Sequence, residues 1–479
     1  MDKNQVKPPV VVVLGHVDHG KTTLLDALRH SRVAEGEFGQ ITQHIGAYEI
    51  STKEGQKITF IDTPGHEAFN TLRSRGAKLA DLALLIVAAD SSVKPQTLEA
   101  LKQIRLNKIP FIVVINKVDL ETANLEKVIK DLTKHEVYLE GRGGDVPYVQ
   151  ISAKNKTGLD TLLELITLVA DLNSLTYSPK AETEGVVIEA KKDRRGVVLT
   201  IILTNGSLKV GDQIYADQEV IKIRAMFNDL GQGVKELFPS TPAEILGSKQ
   251  VVVPGTILSK KPIVKAETNK AASRTGLTEE EWFDQNQTKF NFIIKADTFG
   301  TLEAILEKFQ EFDEIKVIKS ETGELTEADL ELAKTTKANI LVFNSKLRHT
   351  IKEKAEKEDI NVFEYNLIYE LLDQVEDLIY ALRTRQEKEA KKVAEAKVIA
   401  KFIKGDQVIA GLKVLTGKLS TKEKAEVMRG KKVLGETTIS SLYQKSDAVL
   451  SVTKGEECGA IFADKIDFQQ GDIVKLYTP

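Results

Sequence analysis

Eight residues near the start of the chain, Gly15-His16-Val17-Asp18-His19-Gly20-Lys21-Thr22, follow an apolar run from Pro9 to Leu14 and precede a helical pattern from Thr23 to His30. Strand, glycine-rich loop, Lys-Thr and helix in that order make a P-loop, so the first domain must be an α/β fold built around an anion. Gly15 and Gly20 let backbone N–H groups turn inward around phosphate oxygens. The helix that starts at Lys21 points its positive dipole end at the same anion. Lys21 adds a full charge over the terminal phosphates, and the Thr22 hydroxyl suits Mg²⁺, which prefers oxygen ligands. Val17, Asp18, His19, Gly20, Lys21, Thr22 and Thr23 form the expected phosphate-binding set.

The chain of 479 residues is too long for one compact core, so three or four domains are expected. Its 42% hydrophobic and 29% charged residues are those of a globular protein. No apolar run reaches the length of a bilayer span, and Met1 to Pro8 is too short and polar for a signal or transit peptide. A single cysteine, Cys458, excludes an internal disulfide framework and a thiolate metal cluster. These features predict a cytoplasmic protein with no membrane partner. With a formal net charge of −3, bulk charge does not signal nucleic acid, and any basic surface must be local.

From Val10 to about Asn173 apolar runs alternate with helices. The runs are Val10–Leu14, Ile58–Ile61, Leu82–Ala88, Phe111–Ile115 and Val146–Ile151; the helices include Gln96–Leu106 and Leu159–Leu172. That alternation predicts a largely parallel sheet covered by helices over residues 1–178. Residues 179–266 change to short β-branched runs separated by turns such as Asn205-Gly206, which predicts a β-barrel. The polar stretch 267–287 reads as a linker. Residues 288–366 mix strands (Phe290–Ile294, Ile340–Phe343) with helices (Thr301–Phe309, Glu327–Thr335) and predict a compact α/β domain. A helix is expected over 367–396, with Leu371, Leu372, Val375, Leu378, Ile379 and Leu382 on one face. Residues 397–479 return to strands and turns and predict a terminal β-barrel, with Gln470-Gly471-Asp472-Ile473 echoing Val210-Gly211-Asp212 as a hint of two similar barrels. The expected fold is therefore multidomain α/β plus β, an elongated chain.

Four further motifs follow the P-loop. Asp62-Thr63-Pro64-Gly65 closes the run Ile58–Ile61; Asp62 suits Mg²⁺ through water, and the Gly65 N–H suits a γ-phosphate. Alone this is a common turn; some forty residues after a P-loop it is informative. Asn116-Lys117-Val118-Asp119 ends another strand, and the Asp119 carboxylate can accept two hydrogen bonds from the guanine edge, a donor pair that adenine lacks. Its plainer reading is a helix N-cap. Ser152-Ala153-Lys154 would supply a backbone contact to guanine O6 and packing from a lysine stem. Thr42 could add its hydroxyl to Mg²⁺ only when the γ-phosphate is present, which makes its loop a switch. His66 could orient the attacking water, with Val17 and Ile41 as apolar residues flanking its path; the bland alternative is a surface histidine.

These segments carry a family resemblance. The P-loop run, Ile41-Thr42-Gln43-His44-Ile45-Gly46-Ala47 and Asp62-Thr63-Pro64-Gly65-His66-Glu67-Ala68-Phe69 resemble the bacterial translation initiation factor two family, as do Pro95-Gln96-Thr97 and Asn116-Lys117-Val118-Asp119. The resemblance runs on through Met226-Phe227-Asn228-Asp229-Leu230-Gly231-Gln232, Ile293-Ile294-Lys295-Ala296-Asp297, Tyr365-Asn366-Leu367-Ile368-Tyr369 and Glu457-Cys458-Gly459. It implies a ribosome-dependent GTPase of the translational GTPase family, with GTP/GDP and Mg²⁺ as cofactors. Such a protein brings initiator (formylmethionyl) tRNA to the small subunit, promotes joining of the large subunit, then hydrolyses GTP and leaves. By the same resemblance His66 and Lys21 are catalytic, and Glu457, Cys458 and Gly459 lie in the formylmethionine pocket.

The chain also departs from the family. The long N-terminal extension of many members is expected to be lacking, the second cysteine usual after an Ala-Gly pair is replaced by Leu412, the third domain reads Glu321-Thr322-Gly323-Glu324-Leu325-Thr326, and Lys397 to Gly411 looks shortened. The basic run Arg383, Arg385, Lys388, Lys391, Lys392, Lys397, Lys401 and Lys404 is a candidate contact for ribosomal RNA phosphates or a plain solvated face. A monomer is expected. Two other readings share these motifs: the archaeal and eukaryotic subunit-joining relative, and a nucleotide-gated ribosome-binding module that carries no tRNA.

Overall fold

The computed structural model describes residues 5–29, 42–262, 290–390, 392–404, 407–421, 423–430, 432–445 and 447–477. Ile41, the stretch 267–287, Lys391 and the side chains of residues 385, 388, 392 and 404 lie outside the described residues. The chain divides into two compact units, 1–372 and 373–479. Among the described residues no helix is long and apolar enough to cross a membrane.

The first unit begins with a six-stranded sheet in the order Gly46–Ser51, Lys57–Asp62, Val10–Gly15, Leu82–Ala88, Phe111–Asn116, Tyr148–Gln150. All pairings are parallel except that of the edge strand Gly46–Ser51. Val10–Gly15 and Leu82–Ala88 are buried along their whole length. Helices cover both faces of such a sheet, which is why these strands read as continuous rather than alternating apolar runs. The helices Lys21–Arg29, Pro95–Asn107 and Leu159–Leu172 follow the expected segments closely. The last strand is only Tyr148–Gln150, shorter than the apolar run Val146–Ile151, because Val146 instead bridges to Leu139.

Residues from 184 to 259 form an eight-stranded antiparallel sheet around one core, built on the long hairpin Glu184–Asp193 and Gly196–Asn205. Its path runs open from Glu219–Lys222 to Gly233–Val234, so the β-barrel expected over this stretch takes the form of a half-barrel. Next comes a four-stranded, wholly parallel sheet in the order Ile315–Thr322, Phe290–Ala296, Asn339–Phe343, Val362–Tyr365, with helices Phe299–Phe309, Glu327–Thr336 and His349–Lys357.

The helix Ile368–Ala390 stops short of the expected 396. Residues from Lys392 begin a strand instead, Lys392–Lys404. The Lys- and Ala-rich composition favours helix, but Ala394, Ala396 and Val398 are buried at alternate positions, and that period of two places them in a barrel wall. The barrel is closed by six strands, because Lys392–Lys404 pairs with both Ile473–Tyr477 and Gln407–Ser420. One barrel is closed and the earlier sheet is open, so the two echoing turn segments do not mark two copies of one architecture.

Candidate functional site

In the first sheet, Val13 lies opposite Asp62, Gly15 opposite Ile86, Ala88 opposite Asn116 and Ile115 opposite Gln150. The loops that carry the P-loop and the Asp62, Asn116 and Ser152 motifs therefore leave from one edge, the carboxyl ends of the parallel strands, where ligands of such sheets bind.

The P-loop has Asp18 at φ 63° and Gly20 at φ 83°. A Cβ on Gly20 would stand 2.4 Å from Asn116 Nδ2, so position and conformation both demand glycine. The Lys21 ammonium is buried and donates to Gly15 O (3.0 Å) and His16 O (2.7 Å). Burial pulls its pKa down, against the nearby charge of Asp62. Val17 N donates to Gln96 Oε1 at 2.9 Å, which ties the loop to the helix Pro95–Asn107. The His19 ring is buried, with Nδ1 3.3 Å from Ile86 O and Nε2 3.3 Å from Ser91 Oγ. Burial lowers its pKa to about 4, so the ring is neutral at physiological pH.

Three oxygen donors meet beside Lys21. The Thr22 and Thr42 hydroxyls are 2.6 Å apart, and Thr42 Oγ1 donates to Asp62 Oδ2 at 3.3 Å. Asp62 Oδ1 is buried with no hydrogen-bond partner. Burial pushes the Asp62 pKa up, while Lys21 opposes the shift. A buried orphan carboxylate oxygen beside two hydroxyls is a donor set suited to a small hard cation.

At the base end the buried Asn116 amide bridges two loops. Its Nδ2 donates to His19 O (3.0 Å), and its Oδ1 accepts from Ala153 N (3.1 Å). Asp119 and Lys154 are exposed, Ser152 is buried, and Lys117 pairs with Asp90 at 3.6 Å. A hydrogen bond from the Ser152 hydroxyl holds the Asp119 carboxyl below its ordinary pKa, so it is ionised and accepts only. The next helix starts at Leu125 with Asn124 as its cap, which removes the N-cap reading of Asp119.

Gly65 sits against the P-loop: a Cβ there would be 2.6 Å from Lys21 Nζ and 3.0 Å from Val17 Cγ2. In His66, Nδ1 accepts from Ala68 N at 3.2 Å, which assigns the proton of the neutral ring to Nε2. The ring stands edge-on to Phe69, with centroids 6.4 Å apart.

The motifs did not reveal two further parts of this region. Gln43, next to Thr42, is buried; its Nε2 donates to Asn366 O (2.7 Å), and its Oε1 accepts from Ile368 N (3.1 Å). Arg73 is buried beneath the loop that carries His66. A signal for Arg73 existed, because it shares the buried stripe of its helix with Leu72, Gly76 and Ala77, where a charge needs a reason.

The trio in the terminal barrel is arranged differently. On Glu457–Phe462, Glu457 lies opposite Lys413 (3.6 Å ion pair), Cys458 opposite Leu412, and Gly459 opposite Gly411. Cys458 points into the barrel core, while Glu457 is exposed and Gly459 is half-buried. Burial pushes the Cys458 thiol up to about 11. Leu412 occupies the position directly across from it.

Residues 7–171 match the Elongation factor Tu GTP binding domain, 182–261 match Elongation factor G domain 2, and 265–376 match Translation-initiation factor 2. The chain is 40% identical to translation initiation factor IF-2 of Clostridium novyi, over 98% of this chain and 72% of that protein. It is 39% identical to translation initiation factor IF-2 of Thermosynechococcus vestitus, over 100% of this chain and 53% of that one. Among solved structures, GDP-bound aIF5B from Aeropyrum pernix is 25% identical with a TM-score of 0.48, covering 99% of this chain and 92% of that chain. The chain thus spans about half to three quarters of the length of these IF-2 relatives. With its sequence matched from end to end at this identity, the chain belongs to the translation initiation factor IF-2 family of translational GTPases.

Proposed function

We propose that this chain is a ribosome-dependent GTPase of translation initiation that binds initiator tRNA, promotes its placement on the small subunit and subunit joining, and leaves after hydrolysis. The observation that carries the hydrolytic part is the convergence of Lys21, Thr22, Thr42, Asp62 and the Gly65–His66 segment at one sheet edge. The ribosome and tRNA parts are supported by family membership.

The Asp119 carboxylate takes the guanine edge, and the Asn116 bridge holds Ser152, Ala153 and Lys154 beside it. Val17, Asp18, His19, Gly20, Lys21, Thr22 and Thr23 surround the phosphates, with Lys117 on the base side. Thr22, Thr42 and Asp62 (the last through water) fit Mg²⁺, since all three offer hard oxygens and one of these is orphaned. Held by these residues, Mg²⁺ would supply positive charge that offsets the negative charge of the phosphates. Lys21 exchanges its two carbonyl acceptors for phosphate oxygens and stabilises the same charge. His66 positions a water in line; its oxygen bonds to the γ-phosphorus as the bond to the β-phosphate oxygen breaks, giving GDP and phosphate. Val17 flanks this path.

The test is GTP turnover by the full chain with and without ribosomes. Stimulation is expected, and His66→Ala should lose roughly a hundredfold of it. Full retention by His66→Ala would remove His66 from the mechanism. The tRNA part is tested by binding of formylated against unformylated initiator tRNA to the full chain. Preference for the formyl form supports a pocket around Glu457, Cys458 and Gly459, whereas absence of any tRNA binding leaves a nucleotide-gated ribosome-binding factor.

A further inference from the structure

Arg73 lies on the helix Asn70–Leu79, with its side chain 3% exposed. Its Nη1 reaches three consecutive carbonyl oxygens: Pro64 O at 3.2 Å, Gly65 O at 2.8 Å and His66 O at 2.6 Å. Its Nη2 donates to Asn70 Oδ1 and, at 3.0 Å, to Glu99 Oε2 on the helix Pro95–Asn107. Two N–H groups on Nη1 serve three acceptors, so the carbonyls of residues 64–66 must converge on one nitrogen.

We propose that Arg73 is the positioning residue of the hydrolytic segment: its guanidinium gathers the 64–66 carbonyls and so fixes the direction in which the Gly65 N–H and the His66 ring leave the backbone. This inference rests on the role given to His66 above.

Three observations carry it. A buried cation is costly unless its donors are satisfied, and here three of the five acceptors named are backbone carbonyls of one loop, so the charge and the loop conformation hold each other in place. The clamped segment is the one pressed on the P-loop, because Gly65 leaves no room for a Cβ beside Lys21 Nζ and Val17. The other end of the guanidinium is anchored on Glu99, three residues along the same helix from Gln96, whose side chain holds Val17 N. One helix thereby holds both the P-loop and, through Arg73, the segment that carries the water-positioning ring. A planar fork does this; an ammonium has the charge but not the geometry.

Arg73 touches neither nucleotide nor water in this reading, so its effect must pass through His66. The experiment is a double-mutant cycle on ribosome-stimulated GTP hydrolysis at saturating GTP, with GTP affinity measured in parallel. Arg73→Lys should lower the stimulated rate at least tenfold in the wild-type background and less than twofold in the His66→Ala background, with GTP affinity within about threefold of wild type. Glu99→Gln, at a residue whose side chain is 43% exposed and whose loss leaves the core intact, should show the same pattern at a few-fold scale. Equal losses in both backgrounds, or a rate unchanged by Arg73→Lys, would overturn the inference. If Arg73→Lys does not bind GTP, Glu99→Gln decides alone: a loss confined to the His66 background supports the inference, and any other result overturns it. If His66→Ala by itself keeps full stimulation, the proposed role of His66 fails first, so the two failures are distinguishable.

Discussion

The nucleotide edge of the first domain and the Glu457–Gly459 trio of the terminal barrel are both short motifs, yet the fold treats them in opposite ways. In the first domain, segments as far apart as residues 15 and 153 are brought to one place, because parallel strands in register release their loops at the same edge. In the barrel, three adjacent residues are sent to different sides, because a strand alternates faces: Cys458 goes into the core against Leu412, while Glu457 and Gly459 go outward. A motif on loops converges into a surface; a motif inside a strand divides between a surface and its support.

Four measurements test that contrast. The largest effect belongs to the loop motif: Asp119→Ala should weaken GTP binding by at least about a hundredfold while sparing ATP, because a site built to accept a donor pair discriminates strongly. Competition binding with the two nucleotides reads it, and equal losses would remove Asp119 from base selection. Next, Leu412→Ala should cost about 2–5 kcal/mol of barrel stability as a buried large-to-small change, whereas Glu457→Ala should stay within about 0.5 kcal/mol. Denaturant melts of the two variants would contradict the inward–outward division if the order were reversed.

Smaller still is the acid response of the P-loop. The folded state holds His19 neutral with a pKa near 4, below its ordinary 6.5, so the unfolded chain binds the proton more readily. Stability from this group is present above about 6.5 and is lost as pH falls toward 4. His19→Asn should flatten that part of the stability curve, and an unchanged curve would count against a neutral buried ring. The smallest effect is a near absence of reaction. With its thiol at about 11 and its side chain in the core, Cys458 should resist alkylation at pH 8 until the barrel unfolds. Prompt labelling of the folded protein would place the thiol in an open pocket instead.

Much of the candidate nucleotide site was legible in the sequence as a grouping, because the proposed chemistry needs fixed residue types at fixed places along strand–loop–helix units. Gly20, Lys21, Thr22, Asp62, Asn116 and Ser152, each singled out from a motif, gather at one edge of the first sheet. Arg73 and Gln43 were not legible in this way. Each acts on backbone groups of other segments, and a carbonyl or amide has no letter in the sequence. The end of the helix at Ala390 was missed for a different reason. Local composition favours helix through 396, and only closure of the barrel, with Lys392–Lys404 paired on both sides, decides otherwise. The inward direction of Cys458 depends on register, which strand pairing sets and a three-residue motif cannot express.

The Asn116 amide has one more consequence. It gives a hydrogen to His19 O and takes one from Ala153 N, while Gly20 leaves no room for a longer arm beside its nitrogen. Aspartate has the length but no hydrogen to give, glutamine has both functions but an extra carbon, and serine is too short to reach both loops. In a library of all single replacements at this position, survivors should be confined to the original residue. Anyone reshaping the base pocket to accept a different nucleotide therefore inherits one position that cannot be varied.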